Sequence, residues 1–340
     1  MIVEMGNLFN HKAKEPEPEV DENSYIHSSG KPEALAEGFT IEFRRNIGND
    51  EGVETLSPQN QSPQVPSDLV VLGGLRPLCD GSSPSDRITW ITLVNHGYVS
   101  YAKNFLRNVQ ERNIPFVLHI FCTDEMAYQE LQHEPGCVCF SADFLQLSLS
   151  TNMTNWQEYE YKKITFAKLD TIKYCLQYAN NPIGYIDTDI VLFRDPTPYF
   201  VEEMSRHPDI WVFSQCDERG TICTDCYNCK NFCTGVTVYR NDPELCFIFD
   251  YEEEDVESWS SDQAFLNHTC ELYDIPTITL SKSLLSNGCY FPELQESEID
   301  IPDTCCLLHF NYMIGHQKKE CMKLQHMWLL DIGTVGSNIQ

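Results

Sequence analysis

The sequence has few basic residues for its length. Lysine and arginine together number 23 of the 340 residues, against 51 aspartates and glutamates, which gives a formal net charge of -28. A chain with this charge repels nucleic-acid phosphates and anionic membrane surfaces, which argues against a general nucleic-acid-binding function. A phosphate-bearing ligand would require local basic residues or a bound metal cation.

Long apolar runs are absent as well, and no segment has the roughly 18 consecutive apolar residues expected of a transmembrane helix. The start of the chain, MIVEMGNLFNHKAKEPEPEV, lacks the basic residues and apolar stretch of a signal peptide. We therefore interpret the 16 cysteines as free thiols or metal ligands in a reducing compartment rather than as disulfides. We expect a cytosolic protein.

The composition changes near residue 86. Residues 1–86 include EPEPE, SPQNQSPQVPS and CDGSSPSD, which are rich in proline, serine, glutamine and acidic residues. Such a composition buries too little apolar surface to offset the entropy of folding, so we predict a mostly disordered acidic tail. We predict one folded domain over 87–331 and a short C-terminal tail at 332–340.

The domain alternates strand-like and helix-like segments. The patterns RITWITLVN, IPFVLHIFCTD, GYIDTDIVLF, DIWVFSQC and TGVTVYR are typical of strands. The patterns YVSYAKNFLRNVQER, NWQEYEYKKITFAKLDTIKYCLQYANN and DQAFLNHTC are typical of helices. This alternation predicts an α/β domain with a mixed, mainly parallel sheet flanked by helices. Ligands of such sheets usually bind beyond the carboxyl ends of the strands.

Two carboxylates interrupt an otherwise apolar strand pattern. Asp187 and Asp189 lie two residues apart in GYIDTDIVLF, so a continuous strand would point both side chains to one face. Two unpaired anions there would be costly. Paired carboxylates suit a hard divalent cation such as Mn²⁺ or Mg²⁺, which also binds phosphate oxygens. The alternative is that the two acids end a strand and face water.

YIDTDIVLFRDP, preceded by KITFAKLDTIKYCL, resembles the nucleotide-diphospho-sugar transferases of the GT-A fold, including glycogenin-like enzymes and plant arabinosyl- and xylosyltransferases. The resemblance extends from about residue 88 to residue 330. It implies a Rossmann-like α/β fold of the GT-A type. It also implies a metal-dependent glycosyltransferase that moves a sugar, with retention of configuration, from a nucleotide-diphosphate sugar, expected to be a UDP-sugar. The acceptor, whether glycan, protein or small molecule, stays open.

The resemblance implies a metal site and a diphosphate site. Asp187 and Asp189 match the DxD motif, in which Asp189 would ligate the metal and Asp187 the metal, donor sugar or ribose. LHFNYMIGHQKK resembles the His…Gly-x-x-Lys segment of glycogenin-like enzymes. This implies that His309 completes the metal site and that Lys318 binds the diphosphate, with His316 as the alternative histidine.

The opening segment TLVNHGY resembles the part of the family that lines the nucleoside pocket. It implies that Thr92 and Tyr98 line this pocket and that Asn95 lies nearby. Taken alone, Tyr98 fits better as a core aromatic residue at the start of a helix.

Two further segments are implied to contact the donor or acceptor. Lys168 matches a basic residue that reaches the donor, although an exposed helix lysine, or Lys162 or Lys163 in its place, is the alternative. The motif SDQ resembles an aspartate–glutamine pair that contacts the transferring sugar or the acceptor, which implies these catalytic roles for Asp262 and Gln263. The alternative for Asp262 is a helix N-cap.

The segment CTDCYNCKNFC, residues 223–233, has the cysteine spacing of bacterial ferredoxins. Cys223, Cys226, Cys229 and Cys233 could hold a separate structural Zn²⁺, pair as disulfides, bind an iron–sulfur cluster or stay free thiols. The adjoining CTGVTVYRNDP resembles the strand that closes the donor pocket in the family, where asparagine is commoner than cysteine at Cys233. This difference puts one donor contact in doubt.

Two other functions remain open at this level. An apolar strand that ends in IDTDIV also resembles haloacid-dehalogenase-like phosphatases, in which Asp187 would be the nucleophile and Asp189 the general acid. The downstream Gly-Asp-x-x-x-Asp pair of that family is absent from the sequence. The third reading is a non-catalytic protein that keeps the fold. Most eukaryotic relatives work in the Golgi behind an N-terminal membrane anchor. Because this sequence shows no such apolar segment, we expect a cytosolic or microbial version, or one carried by a large DNA virus.

Overall fold

The structure, a computed structural model, describes most of the predicted domain. The described residues are 87–142, 145, 148–154, 158–218, 226–227, 231–288, 290–313 and 315–331. The predicted tails at 1–86 and 332–340 lie outside the described residues, and the predicted domain boundaries stay predictions.

Strands and helices alternate through the described residues. The strands are β1 Thr89–Val94, β2 Leu118–Cys122, β3 Cys137–Ser141, β4 Ile183–Ile186, β5 Ile190–Leu192, β6 Val212–Cys216, β7 Cys226–Tyr227, β8 Phe232–Tyr239, β9 Thr277–Leu280, β10 Leu285–Asn287 and β11 Leu307–His309. The α-helices are α1 Val99–Glu111, α2 Glu125–Leu131, α3 Tyr159–Tyr178, α4 Thr197–Arg206, α5 Glu253–Ser258, α6 Asp262–Leu272 and α7 His316–Leu324. Short 3-10 helices cover His96–Tyr98, Pro243–Phe249 and Pro292–Gln295.

Most of the strands form one mixed sheet in the order β3-β2-β1-β4-β8-β6-β9-β7. Strands β3, β2, β1 and β4 pair in parallel, β8 is antiparallel to both β4 and β6, and β6 is parallel to β9. A smaller sheet has the order β10-β11-β5. The predicted α/β fold with a mixed, mainly parallel sheet flanked by helices is confirmed.

Both faces of the large sheet are covered, as the alternation along β1 shows. Trp90 packs in a core cluster with α1, α2 and α4, whereas its neighbour Ile91 packs in a second cluster with α3, α5 and α6. Burial on both faces explains why the strands of this sheet have nearly continuous apolar sequences. None of the helices in the described part of the chain is long and apolar enough to cross a membrane.

The prediction that GYIDTDIVLF forms one strand is wrong. The strand β4 ends at Ile186 in the large sheet, and β5 begins at Ile190 in the small sheet, antiparallel to β11. The break is held by backbone hydrogen bonds on both sides, from Asp187 N to Gly235 O at 2.8 Å and from Phe310 N to Asp189 O at 3.0 Å. The two aspartates therefore lie at the junction between the sheets, beyond the carboxyl end of β4.

Candidate active site

The junction between the two sheets brings three predicted metal ligands together. His309, the last residue of β11, places Nε2 3.3 Å from Asp189 Oδ1 and 3.8 Å from Asp187 Oδ2. One ligand atom from each residue lies within 4.8 Å of the other two, and the described residues contain no other such cluster of three. One imidazole and two carboxylates are suitable ligands for Mn²⁺, so the donor set fits a divalent cation.

The strand β8 leaves room for this cluster at Gly235. A Cβ on Gly235 would lie 2.3 Å from Asp187 Oδ2 and 2.6 Å from His309 Cε1. Only glycine therefore lets the backbone of β8 approach the two ligands this closely. The register of β6 on β8 also shifts between Ser214 and Gln215, which marks a bulge next to Gly235.

Lys318 supplies a positive charge to the cluster from the first turn of α7. Its Nζ lies 2.6 Å from Asp189 Oδ2, and both side chains are largely buried. Burial raises the pKa of the Asp189 carboxyl, but Lys318 and His309 lower it by more, so its pKa lies well below the usual range. Burial lowers the pKa of Lys318 and of His309, but Asp189 and neighbouring groups (Tyr161 and Tyr98 for Lys318, Cys233 for His309) together raise both above their usual ranges. The site is thus a network of mutually neutralising charges.

A second buried ion pair lies beside this network. Lys168 Nζ on α3 is 2.7 Å from Asp262 Oδ2, and the two residues are 6% and 3% exposed. Thr234 joins them, because its hydroxyl donates to Asp262 Oδ2 and accepts from Lys168 Nζ. Ser261, rather than Asp262, is the N-cap of α6 and accepts from Ala264 N at 3.1 Å. The N-cap alternative for Asp262 is therefore wrong.

The other lysines proposed for the donor contact are engaged elsewhere. Lys162 Nζ donates to Glu257 O and Lys163 Nζ to Ser148 O, both at 3.0 Å. Neither lines the cleft described below, whereas Lys168 does. His316 begins α7 and lies outside the cluster of Asp187, Asp189 and His309.

Gln263 belongs to a polar network centred on Asp217, a residue that the sequence analysis did not single out. Gln263 Nε2 donates to Asp217 Oδ2 at 3.0 Å. Asp217 Oδ1 accepts from the side-chain amides of Asn287 and Asn311, at 3.0 and 2.9 Å. Asn231 adds a contact to Gln263 Nε2 at 2.9 Å. The network joins the end of β6 to α6, β10 and the segment after β11.

A cleft of about 640 Å³, counting the solvent at its mouth, opens onto Asp187, Asp189 and Lys318. Its other lining residues come from β1, from the 3-10 helix before α1, from α3 and from β4 and the break that follows it, namely Leu93, Tyr98, Tyr161, Ile164, Thr165, Lys168, Tyr185 and Thr188. The cleft thus combines aromatic walls with a floor that carries both carboxylate and ammonium groups.

The predicted nucleoside residues divide into two groups. Tyr98 lines the cleft and donates from its hydroxyl to Thr154 O at 3.3 Å. Thr92 is buried in β1, and neither it nor Asn95 is among the lining residues. Asn95 Nδ2 donates to Ser150 O and Asn152 O, while Asn95 Oδ1 has no hydrogen-bond partner among the residues described.

Of the four cysteines in the 223–233 segment, Cys233 alone has a described side chain, and the other three side chains lie outside the described residues. Cys233 Sγ lies 3.6 Å from His309 Nδ1 and is buried. The thiol is therefore directed to the histidine of the metal cluster. The separate structural metal site stays a prediction.

Three residues at the site carry no motif that sequence reasoning uses. Tyr161, Gln215 and Asp217 lie in or beside the site, yet each stands in an ordinary helix or strand pattern. A glutamine in the apolar run DIWVFSQC is the one signal available, because a buried amide requires partners.

Comparisons with known proteins bear on this site. A galactosyltransferase, LgtC, in complex with donor and acceptor sugar analogues is 12% identical, with 70% of this chain and 94% of that chain covered and a TM-score of 0.45. Mouse xyloside xylosyltransferase 1 is 11% identical, with 66% of this chain and 98% of that chain covered and a TM-score of 0.43. The glycosyltransferase GlyE of Streptococcus pneumoniae is 14% identical, with 72% of this chain and 62% of that chain covered and a TM-score of 0.43. No curated protein sequence gives a match. Residues 106–322, which are 217 of the 340 residues, match the family model of the nucleotide-diphospho-sugar transferases.

Proposed function

Because the chain belongs to the nucleotide-diphospho-sugar transferase family, we propose that it is a metal-dependent glycosyltransferase. Its donor is a nucleotide-diphosphate sugar, by resemblance a UDP-sugar, and its acceptor is a glycan, protein or small molecule. The observation that carries the proposal is the cluster of Asp187, Asp189 and His309, with Lys318 beside it, at the base of one cleft.

Asp187, Asp189 and His309 would hold Mn²⁺ or Mg²⁺, which when bound neutralises the negative charge that develops on the departing diphosphate. Lys318 lies against Asp189 and lines the cleft, so its ammonium group can bind an oxygen of a diphosphate held in the cleft. These charges are in place before the ligand arrives, which reduces the cost of reorganisation during the reaction. The protein's part is thus to position the donor and to stabilise its leaving group.

The nucleoside would lie towards the carboxyl end of β1. Tyr98 offers an aromatic face in the cleft, where the nucleobase can pack. Asn95 Oδ1 is buried, has no hydrogen-bond partner among the described residues and lies outside the cleft lining, so Asn95 would shape this wall rather than contact the base. Thr92 is buried in β1 and would support this wall.

The transferring sugar would lie near Lys168, which lines the cleft and is paired with Asp262. Asp262 would act on the sugar together with Lys168, and Gln263 would contact the sugar or acceptor from the Asp217 network. Retention of configuration is proposed by resemblance to the family. Because Asp262 is bound to Lys168 and Thr234, a double displacement that uses Asp262 as nucleophile would first have to break this pair.

The alternatives differ in their support. The match to the transferase family leaves the phosphatase interpretation of Asp187 and Asp189 without an observation in its favour. A non-catalytic protein with the same fold is an outcome that the experiment below detects. The cytosolic location stays a prediction.

The test is release of nucleotide diphosphate from a panel of UDP-, GDP- and other nucleotide sugars, with Mn²⁺, Mg²⁺ or EDTA. We expect slow release from one donor, lost in EDTA and in Asp189→Asn. A surface variant such as Glu111→Gln on α1, which faces solvent and forms an ion pair with Arg107, serves as the matched control. No release and no donor binding with any metal would leave the non-catalytic protein as the better interpretation.

A further inference from the structure

Gln215 is a buried amide directly behind the proposed metal centre. It lies in β6 and is 0% exposed, so each of its polar atoms needs a partner inside the protein. Gln215 Nε2 donates to Leu285 O at 3.1 Å and to Ser286 O at 2.8 Å. Its Oε1 lies 3.0 Å from His309 Nδ1. The side chain therefore links the large sheet to β10 and β11 of the small sheet.

The partners of Gln215 fix which group donates in each of its three hydrogen bonds. The two carbonyl oxygens of β10 can only accept, so the amide nitrogen must be the atom that faces them. The amide oxygen then faces His309 and can only accept, which requires that His309 Nδ1 carries a proton. Cys233 Sγ, 3.6 Å from the same nitrogen, is a weak acceptor and is compatible with this assignment.

We infer that Gln215 is a positioning residue that holds His309 as the Nδ1–H tautomer and so presents the Nε2 lone pair to the cation. Nε2 is the atom that faces Asp189 Oδ1 at 3.3 Å and Asp187 Oδ2 at 3.8 Å. An imidazole with its proton on Nε2 would direct an N–H group, instead of a lone pair, at the place where the cation must bind. A hydrogen bond to the far nitrogen of a ligating histidine commonly serves this purpose.

The local backbone is shaped for this contact. The register of β6 on β8 shifts between Ser214 and Gln215, so that Gln215 lies opposite Cys233. Ser214 Oγ fills the resulting gap, with contacts of 2.7 Å to Cys233 O and 2.9 Å to Val236 O. Bulges of this kind redirect side chains near functional sites. Here the bulge accompanies a side chain directed towards the small sheet.

The inference rests on the proposed metal site, and a pair of variants tests it. Gln215→Met and Gln215→Glu both remove the donation to Leu285 O and Ser286 O, but Glu keeps an oxygen that accepts from His309 Nδ1. Mn²⁺ affinity of the purified full chain is measured by calorimetry without donor. We expect Gln215→Met to bind Mn²⁺ about 10–100-fold more weakly than the wild type. We expect Gln215→Glu to bind Mn²⁺ at least as tightly as the wild type.

Gln325→Met is the matched control. Gln325 is also buried, and its Nε2 donates to two carbonyls, Leu294 O at 2.9 Å and Ser297 O at 2.7 Å. Its Oε1 accepts from Ile299 N at 3.0 Å rather than from a metal ligand. This variant loses the same kind of hydrogen bonds, so it should unfold more easily than the wild type while its Mn²⁺ affinity is unchanged.

An equal loss of Mn²⁺ affinity in Gln215→Met and Gln215→Glu would mean that Gln215 only stabilises β10. No loss of Mn²⁺ affinity in either variant would mean that Gln215 does not contribute to cation binding. Both results overturn the inference. A second measurement depends neither on the Gln215 variants nor on metal binding. Side-chain ¹⁵N spectra of the metal-free wild type, assigned with His309→Gln, should show a proton on Nδ1 whether or not Nε2 also carries one. An Nδ1 without a proton overturns the inference, whereas a wild type that binds no Mn²⁺ overturns the proposed function alone.

Discussion

At the scale of single residues, the metal cluster depends on Gly235, because this position has no room for a side chain beside Asp187 and His309. Gly235→Ala would place a Cβ 2.3 Å from Asp187 Oδ2, so that oxygen would have to move by about 1 Å to reach an ordinary contact. A displacement of about 1 Å at a reacting centre costs on the order of 100-fold in rate. We expect Gly235→Ala to fold, to bind Mn²⁺ more weakly and to release nucleotide diphosphate on the order of 100-fold more slowly.

The control for this variant is Val238→Ala on the same strand. Val238 is buried in the core away from the cluster, so its truncation lowers the free energy of unfolding without contacting a ligand. Both variants are measured by calorimetry with Mn²⁺ and by urea unfolding. Wild-type Mn²⁺ affinity in Gly235→Ala would show that Asp187 does not bind the cation.

The ion pair of Lys168 and Asp262 is a second prediction at this scale. Removal of one partner from a buried pair leaves an uncompensated charge, which costs roughly 3–5 kcal/mol of the free energy of unfolding. We expect a loss of this size for Lys168→Met and for Asp262→Leu alone. The double variant should lose much less than the sum, because no buried charge remains. Urea unfolding of the three variants completes the double-mutant cycle.

Lys173 on the same helix provides the comparison for this cycle. It pairs with Asp250 at the surface, where the side chains are 33% and 60% exposed. Exposed pairs contribute roughly 0–1 kcal/mol, so Lys173→Met should change the free energy of unfolding only slightly. If Lys168→Met costs no more than Lys173→Met, the buried pair does not stabilise the fold and its role lies with the ligand alone.

At the scale of elements, the break between β4 and β5 shows where sequence reasoning ends. Periodicity places Asp187 and Asp189 in a strand, since both flanking segments are apolar. It cannot show that the flanks belong to different sheets, because that depends on the pairing of β5 with β11, more than 100 residues later in the chain. The motif order still predicts that Asp187, Asp189 and His309 meet, and they do.

The residues that sequence reasoning missed share a physical cause. Gln215 and Asp217 act through hydrogen bonds to elements far along the chain, and such bonds leave no local pattern. Lys168 and Lys162 lie on one helix and differ in sequence only by their place along it. The fold places Lys168 in the cleft and Lys162 outside it.

The helix α7 carries a prediction of its own, because its start sets the place of Lys318. Gly315, the N-cap, has φ 46° and ψ -125°, a conformation that a residue with a Cβ adopts only under strain. Gly315→Ala should cost roughly 1–3 kcal/mol of the free energy of unfolding. We also expect weaker nucleotide diphosphate binding, because strain at this residue would shift the first turn of α7.

Gly136→Ala is the matched control for α7. Gly136 also has a positive φ, 86°, but it precedes β3 at the far edge of the sheet. Both glycine variants should be destabilised in urea, and only Gly315→Ala should lose affinity for nucleotide diphosphate. Equal binding in the two would mean that the start of α7 does not position Lys318.

At the scale of the whole molecule, the net charge of -28 opposes the binding of any anionic ligand. Lys168 and Lys318 are the two lysines of the cleft lining, and each is already paired with an aspartate. Their positive charge is thus partly neutralised by the protein's own carboxylates. A nucleotide diphosphate should therefore bind poorly unless a divalent cation accompanies it.

Thermodynamic linkage turns this into a quantitative prediction. If a cation strengthens the binding of UDP, or of whichever nucleotide diphosphate the donor panel identifies, then that nucleotide must strengthen cation binding by the same factor. Calorimetry in both orders, with Mn²⁺ titrated before or after the nucleotide, should give one coupling factor, typically 5–150-fold. In Asp189→Asn the factor should fall towards one, because the carboxylate that joins the cation to Lys318 is lost. A nucleotide that binds equally well with EDTA would show that the lysines suffice against the charge of the chain, and that the two aspartates do not act through a cation.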